Sequence, residues 1–258
     1  MASQQDIARR ILPLLDLTSL NDTDTDPDIL RLCARAGTQA GTVAAVCVAP
    51  IHVAVARQGL ARARLQDRVR VATVVNFPGG EGTLENVLEE ARSAVTSGAD
   101  EIDLVFPYRA LMDGDERAGY RLISRCRQTL TGYTLKVILE TGELKDPGLI
   151  RTAAEIAISA GADFLKTSTG KVKINATPEA AIIMMEAIRD STRPVGFKAA
   201  GGIRTASEAA LYLDLAADIL GESWLRPERF RFGASGLLDD LLRELGLGAK
   251  PVDLSSRY

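Results

Sequence analysis

The sequence is poor in the residues that build disulfide scaffolds, metal centres and membrane spans. Only three cysteines, Cys33, Cys47 and Cys126, stand in 258 residues, and none forms a CxxC pair. So few, in odd number, argue against a disulfide framework and for a reduced chain. A single histidine, His52, leaves too few ligands for a zinc site and no support for a Ser-His-Asp triad. Neither sign of charge dominates: the net charge is −3, so nucleic acid and anionic membranes are not expected partners. No apolar run reaches the ~18 residues of a membrane-spanning helix. The opening Met-Ala-Ser-Gln-Gln-Asp starts no signal-peptide core, and the expected location is the cytoplasm.

What is present is regular. Short apolar strands alternate with amphipathic helices at intervals of roughly thirty residues, as βα units do. Strands are expected at 14–18, 44–48, 69–75, 101–106, 135–140, from 163, around Lys198 and at 230–232. Leu84, Val87, Leu88, Ala91, Ala94 and Val95 mark the clearest helix, at i, i+3, i+4, i+7 spacing. Asp146-Pro147 and Thr177-Pro178 each offer an N-cap followed by proline at N1, and Thr205 with Glu208 a capping box. A long helix is expected over 109–130 and a short capping helix over 1–12. Ser97-Gly98-Ala99-Asp100 and Ala160-Gly161-Ala162-Asp163 repeat one helix-to-strand turn. No linker divides the chain. The expectation is a single α/β domain over 1–258, a (β/α)8 TIM barrel with a flexible C-terminal tail over 246–258. An open doubly wound sheet is the alternative, but it usually carries a phosphate loop after its first strand and none is evident.

Alternation along the strands places charge inside such a barrel. Ile102 and Leu104 share one face, which turns Glu101 and Asp103 inward; Lys166 with Ser168, Gly196 with Lys198, and Asp16 with Thr18 share parity. An interior holding Asp16, Asp103, Lys166 and Lys198 is too polar for packing alone. Two close, desolvated lysines lower one another's pKa, and a neutral amine attacks carbonyls. Both could instead be structural, each paired with an inward carboxylate, with Lys136 and Glu140 as candidates for that role. Alternation does not say which lysine is the nucleophile.

Small-residue loops follow the last three strands: Gly170-Lys171, Gly201-Gly202, and Gly233-Ala234-Ser235-Gly236. Their backbone amides suit a phosphate, and in barrels the loops after strands seven and eight commonly hold one. The alternative is that the glycines only permit tight turns. Cys47 could line a pocket, although a small core residue explains it as well, and His52 looks ordinary.

These stretches resemble the 2-deoxyribose-5-phosphate aldolases. The resemblance rests on Leu15-Asp16-Leu17-Thr18, Asp103-Leu104-Val105-Phe106-Pro107-Tyr108-Arg109, Glu140-Thr141-Gly142-Glu143-Leu144, Phe164-Leu165-Lys166-Thr167-Ser168-Thr169-Gly170-Lys171, Phe197-Lys198 with Gly201-Gly202-Ile203-Arg204, and Arg231-Phe232-Gly233-Ala234-Ser235. It implies a class I aldolase on a (β/α)8 barrel, with no metal or other cofactor, acting on a phosphorylated sugar and small aldehydes. It further implies that Lys166 forms a Schiff base, that Lys198 tunes it, that Asp103 relays protons through water and that Asp16 holds the network. Cys47, Thr18 and Thr169 fall at substrate positions. Gly170, Lys171, Gly201, Gly202, Arg204, Gly233, Ser235 and Gly236 fall at phosphate positions, and Tyr258 at a proton-transfer tyrosine. A homodimer is suggested by the resemblance alone. Ala199 replaces a proline and Gly236 a serine of familiar relatives, which should loosen the loop beside Lys198 and remove one hydroxyl.

Overall fold

The computed structural model describes residues 3–248. Eight parallel strands close into a barrel: β1 (Leu15–Ser19), β2 (Ala45–Val48), β3 (Arg70–Val75), β4 (Glu101–Val105), β5 (Thr134–Ile138), β6 (Phe164–Lys166), β7 (Gly196–Ala200) and β8 (Phe230–Ala234). Each pairs with its sequence neighbour, and β8 pairs with β1 to complete the ring. The helices are α1 (Gln4–Ile11), α2 (Asp26–Arg35), α3 (Val53–Arg62), α4 (Leu84–Thr96), α5 (Tyr108–Met112), α6 (Glu116–Thr129), α7 (Thr141–Leu144), α8 (Pro147–Ala160), α9 (Pro178–Asp190), α10 (Ala206–Leu220) and α11 (Leu237–Glu244).

The expected caps form. The Asp146 side chain accepts from the Leu149 amide at 2.9 Å with Pro147 in the first turn, and Thr205 and Glu208 exchange bonds at 3.2 and 3.0 Å. The expected long helix over 109–130 is instead two helices. Gly114 adopts φ +91, and Asp115 restarts the chain by capping α6 through the Ala118 amide. A glycine in the left-handed region ends one helix as readily as it permits a turn. β5 stops at Ile138, short of Glu140, and β8 runs on through Ala234 before α11 begins. The tail beyond Gly248, and Tyr258 with it, lies outside the described residues.

Strand parity divides the interior. Outward side chains such as Val46, Val71, Ile102, Leu104, Leu135, Val137, Leu165 and Phe197 are buried in one apolar layer beneath the helices. A buried aliphatic side chain of this size contributes about 1.5–3 kcal/mol. Inward side chains differ by sector. Ala45, Cys47, Ala72 and Val74 on β2 and β3 form a small apolar patch with Leu20 and Phe77. The facing sector, β4 to β8 with β1, carries the charge.

Candidate active site

The charged sector is assembled by register. Asp103 lies beside Lys136 across β4 and β5, Lys166 beside Lys198 across β6 and β7, and Lys198 beside Arg231 across β7 and β8. Each of these side chains alternates inward, so three lysines, one arginine and three carboxylates meet in the middle of the barrel. All are buried: Asp16, Asp103, Lys136 and Lys198 fully, Lys166 at 3% exposure and Arg231 at 6%.

Asp103 is the hub. Its Oδ1 accepts from Lys136 at 2.6 Å, and its Oδ2 accepts from both Lys166 and Lys198 at 2.8 Å. Lys198 has a second carboxylate, Asp16 Oδ2 at 2.5 Å. Lys136 has Glu101 at 2.7 Å and Asp16 at 3.7 Å. Arg231 completes the lower part, with Nη1 on Asp16 Oδ1 at 2.6 Å and Nη2 on Glu101 Oε1 at 3.0 Å. Among the described residues Lys166 has only Asp103, and shares it.

That difference separates the two lysines electrically. Burial pulls the Lys166 amine below the usual lysine value; Asp103 opposes this, while the charge of Lys198 reinforces it. Burial opposes the Lys198 charge too, but Asp103 and Asp16 together outweigh it and raise its pKa. Mutual lowering was expected of both lysines; it holds for Lys166 and fails for Lys198, because Lys198 owns a second carboxylate. Lys136 is raised as well: burial disfavours its charge, and Asp103, Glu101 and Asp16 overcome that. The carboxylates mirror this. Burial would raise Asp103, and the amines of Lys136, Lys166 and Lys198 around it hold it well below its ordinary value. Asp16 is likewise lowered, by Lys198, Arg231 and Lys136 against burial. Buried charges persist only when paired in this way. The arrangement can present one neutral, nucleophilic amine beside one protonated amine on a shared carboxylate oxygen.

The mouth is formed at the C-terminal strand ends. Thr169 does not stand free: its hydroxyl donates to Glu140 Oε2 at 2.5 Å, and its amide to Glu140 Oε1 at 3.2 Å. Glu140 sits in left-handed backbone past β5, and burial raises its pKa. Lys136 and Glu140 are therefore not a structural pair; Lys136 belongs to the hub. Thr18 bonds its hydroxyl to the Asp16 carbonyl at 2.9 Å. Gly170, Gly201 and Gly202 have φ between +84 and +86, values that favour glycine. A Cβ on Gly201 would meet the Asn175 side chain at 2.7 Å. Gly233 serves a different need: a Cβ there would press on Lys198 Cε at 3.0 Å. Ser235 and Gly236 are exposed at the start of α11. Lys171 is 3.7 Å from exposed Asp22. Exposed Arg204 is fixed through its amide to Glu208 at 2.7 Å. Cys47 is wholly buried in the apolar patch, and burial raises its thiol pKa. His52 joins Asp26 and the Asp24 carbonyl at 3.1 Å, well away from the lysines in bonding terms.

Sequence reasoning missed Arg231 as a member of the network, and turned Glu101 inward without giving it a partner. Both are inward by parity, and the parity of Arg231 with Gly233 was the available signal. Among the described residues no cluster of His, Cys, Asp and Glu suits a metal ion; the buried carboxylates are taken up by cations.

A closed (β/α)8 barrel with an amine–carboxylate network at its centre defines a lyase of the aldolase class. More narrowly, the chain belongs to the DeoC/LacD family of aldolases, whose model matches residues 10–242. Among solved structures, one provisionally named a deoxyribose-phosphate aldolase from Toxoplasma gondii ME49 is 28% identical, with TM-score 0.88, over 96% of this chain and 97% of that one. A similarly named protein from Coccidioides immitis is 30% identical, with TM-score 0.78, over 90% and 85%. The deoxyribose phosphate aldolase of Aeropyrum pernix, described as a tetramer, is 28% identical, with TM-score 0.71, over 95% and 93%.

Proposed function

We propose that this aldolase reversibly cleaves 2-deoxy-D-ribose 5-phosphate to D-glyceraldehyde 3-phosphate and acetaldehyde through an imine on Lys166, in the catabolism of deoxyribose phosphate. The observation that carries the reading is the shared Asp103 oxygen, with Lys166 lowered and Lys198 raised on either side of it. The family and the solved relatives supply the substrate class.

Neutral Lys166 attacks C1 of the open-chain aldehyde. Lys198, charged beside it, supplies the proton with which the carbinolamine hydroxyl leaves as water. The resulting iminium is the electron sink, so no further cofactor is required by the chemistry. The C3 hydroxyl gives up its proton through water toward Asp103 and Lys198. Carbon counting sets the scissile bond at C2–C3, since the product carrying C1 has two carbons. The C2–C3 pair becomes the C1–C2 π bond as the iminium π pair moves onto nitrogen, glyceraldehyde 3-phosphate departs, and the resulting enamine is protonated at C2 and hydrolysed to acetaldehyde. Asp16 holds Lys198 in place. The loops at Gly170-Lys171, Gly201-Gly202 and Gly233 to Gly236 receive the phosphate at the far end, and that binding positions the reacting carbons. The apolar patch around Cys47 suits the methyl end. Tyr258 remains a candidate proton donor on sequence grounds.

A reduced chain in the cytoplasm accords with three buried free cysteines; the tetramer described for one relative supports an oligomer, which we take to be a homodimer. Retro-aldol turnover of the phosphorylated and the unphosphorylated sugar by wild type and Lys166→Ala tests the assignment. Lys166→Ala is expected to lose at least about 10³-fold in kcat while keeping its fold. Retained turnover would overturn the mechanism, and equal kcat/KM on both sugars would overturn the phosphate assignment.

A further inference from the structure

A neutral Lys166 requires that no nearby carboxylate have negative charge to spare. Three carboxylates face the interior, Asp16, Glu101 and Asp103, and three cations other than Lys166 meet them: Lys136, Lys198 and Arg231. These six balance, and a proton on Lys166 would be in excess. Glu140, the remaining acid near Lys166, has its two oxygens taken by the amide and hydroxyl of Thr169, and burial raises its pKa. Cys47 is held as a thiol.

Arg231 is the member of this set most distant in bonding terms from the chemistry. Among the described residues it forms no bond to Lys166 or Asp103. Its guanidinium spans Asp16 and Glu101, and its Nε donates to the Pro227 carbonyl. It enters from the barrel floor, where it and Glu101 line a cavity of about 500 Å³ at the N-terminal strand ends. The other charged groups around that cavity are Arg70, Asp163, Arg193, Glu228 and Arg229. Asp163 is already paired with Arg127 at 2.7 Å.

We propose that Arg231 and Glu101 are positioning residues that set the charge state of Lys166 from the floor of the barrel, through Asp16, Lys136 and Lys198. This rests on the reading of Lys166 as nucleophile. Without the guanidinium, Asp16 and Glu101 draw more heavily on Lys136 and Lys198. Those two amines then satisfy Asp103 less fully. Asp103 Oδ2 in turn holds a proton on Lys166, and attack on the aldehyde stops until the pH is raised. Because the defect is one of charge, removing one negative charge from the same layer corrects it. A merely structural ion pair would show no such correction.

The test is the pH profile of kcat/KM for wild type, Arg231→Met, Arg231→Lys and the double variant Arg231→Met with Glu101→Gln. The acid limb of wild type reports protonation of Lys166. It is expected to move up by about one pH unit in Arg231→Met, as loss of a charge partner does to a coupled site. It is expected to stay near wild type in Arg231→Lys, and to return in the double variant. Glu101→Gln alone should move it down, which keeps the proposal open to contradiction if Arg231→Met does not fold. An unmoved limb in a folded Arg231→Met protein, or a double variant whose limb stays displaced, overturns the proposal. Borohydride trapping on wild type separates the two levels: an adduct on Lys166 with an unmoved limb defeats this inference alone, whereas no adduct on Lys166 defeats the parent reading.

Discussion

Asp103 and Ser168 are both fully buried, one inside the barrel and the other just past Lys166, yet they are treated very differently. Asp103 has both oxygens engaged by three amines, while the Ser168 hydroxyl meets no partner among the described residues. The same contrast holds for their neighbourhoods. In the interior every charged group has a named counterpart within 3.0 Å. At the mouth, Gly170, Gly202 and Gly236 have open space where a side chain would stand, and Ser235 is exposed. The interior is a closed set of charges in which each change redistributes the others. The mouth is a group of separate small residues whose effects should add.

Breaking the hub should have the largest consequence. Asp103→Asn leaves the charged Lys136 and Lys198 and the Lys166 amine with one carboxylate fewer. Removing one partner from a buried ion network costs about 3–5 kcal/mol, to be read as a lowered urea midpoint alongside lost turnover. Stability close to wild type would show that the interior is less tightly coupled than its distances indicate. The same network sets the pH range of stability. Asp16 and Asp103 titrate below the usual 3.8, so their contribution is complete above that value and lost as pH falls through the folded pKa values. Lys136 and Lys198 titrate above 10.5, so theirs is complete below that value and lost as pH rises beyond it.

Removing Lys198 should come next. Lys198→Met deletes a proton donor and also frees Asp103 Oδ2 for Lys166 alone. The expected loss in kcat is about 10²–10⁴-fold, with the acid limb of the profile displaced upward because Lys166 now keeps its proton to higher pH. A loss without that displacement would reduce Lys198 to an acid with no influence on its neighbour.

The mouth should respond most mildly. Ser235→Ala removes one hydroxyl, worth about 1 kcal/mol. KM for the phosphorylated sugar should rise several-fold with kcat unchanged, and the unphosphorylated sugar should notice nothing. Equal effects on both sugars would place the phosphate elsewhere and weaken the contrast between the two regions.

Much of the barrel could be read from the chain because each βα unit is a local pattern. Asp103 was legible as inward because Ile102 and Leu104 flank it, and Lys166 and Lys198 followed by the same parity. The network was not legible because its pairings join residues far apart in the chain: Arg231 meets Asp16 across 215 positions and Glu101 across 130. Only the register of a closed barrel brings those together. Glu140 meets Thr169 rather than an interior lysine because alternation ceases where β5 ends at Ile138 and the chain turns left-handed. The break between α5 and α6 is signalled by Gly114-Asp115, a glycine in left-handed backbone followed by a capping aspartate.

The proposed aldolase chemistry depends on Lys166 being the amine that reacts. The direct test is borohydride reduction in the presence of 2-deoxyribose 5-phosphate, followed by peptide mass mapping. It should find the reduced adduct on Lys166 and none on Lys198 or Lys136. An adduct on Lys198 would reverse the electrical order of the two lysines, and no adduct in a protein that turns the substrate over would contradict imine chemistry altogether.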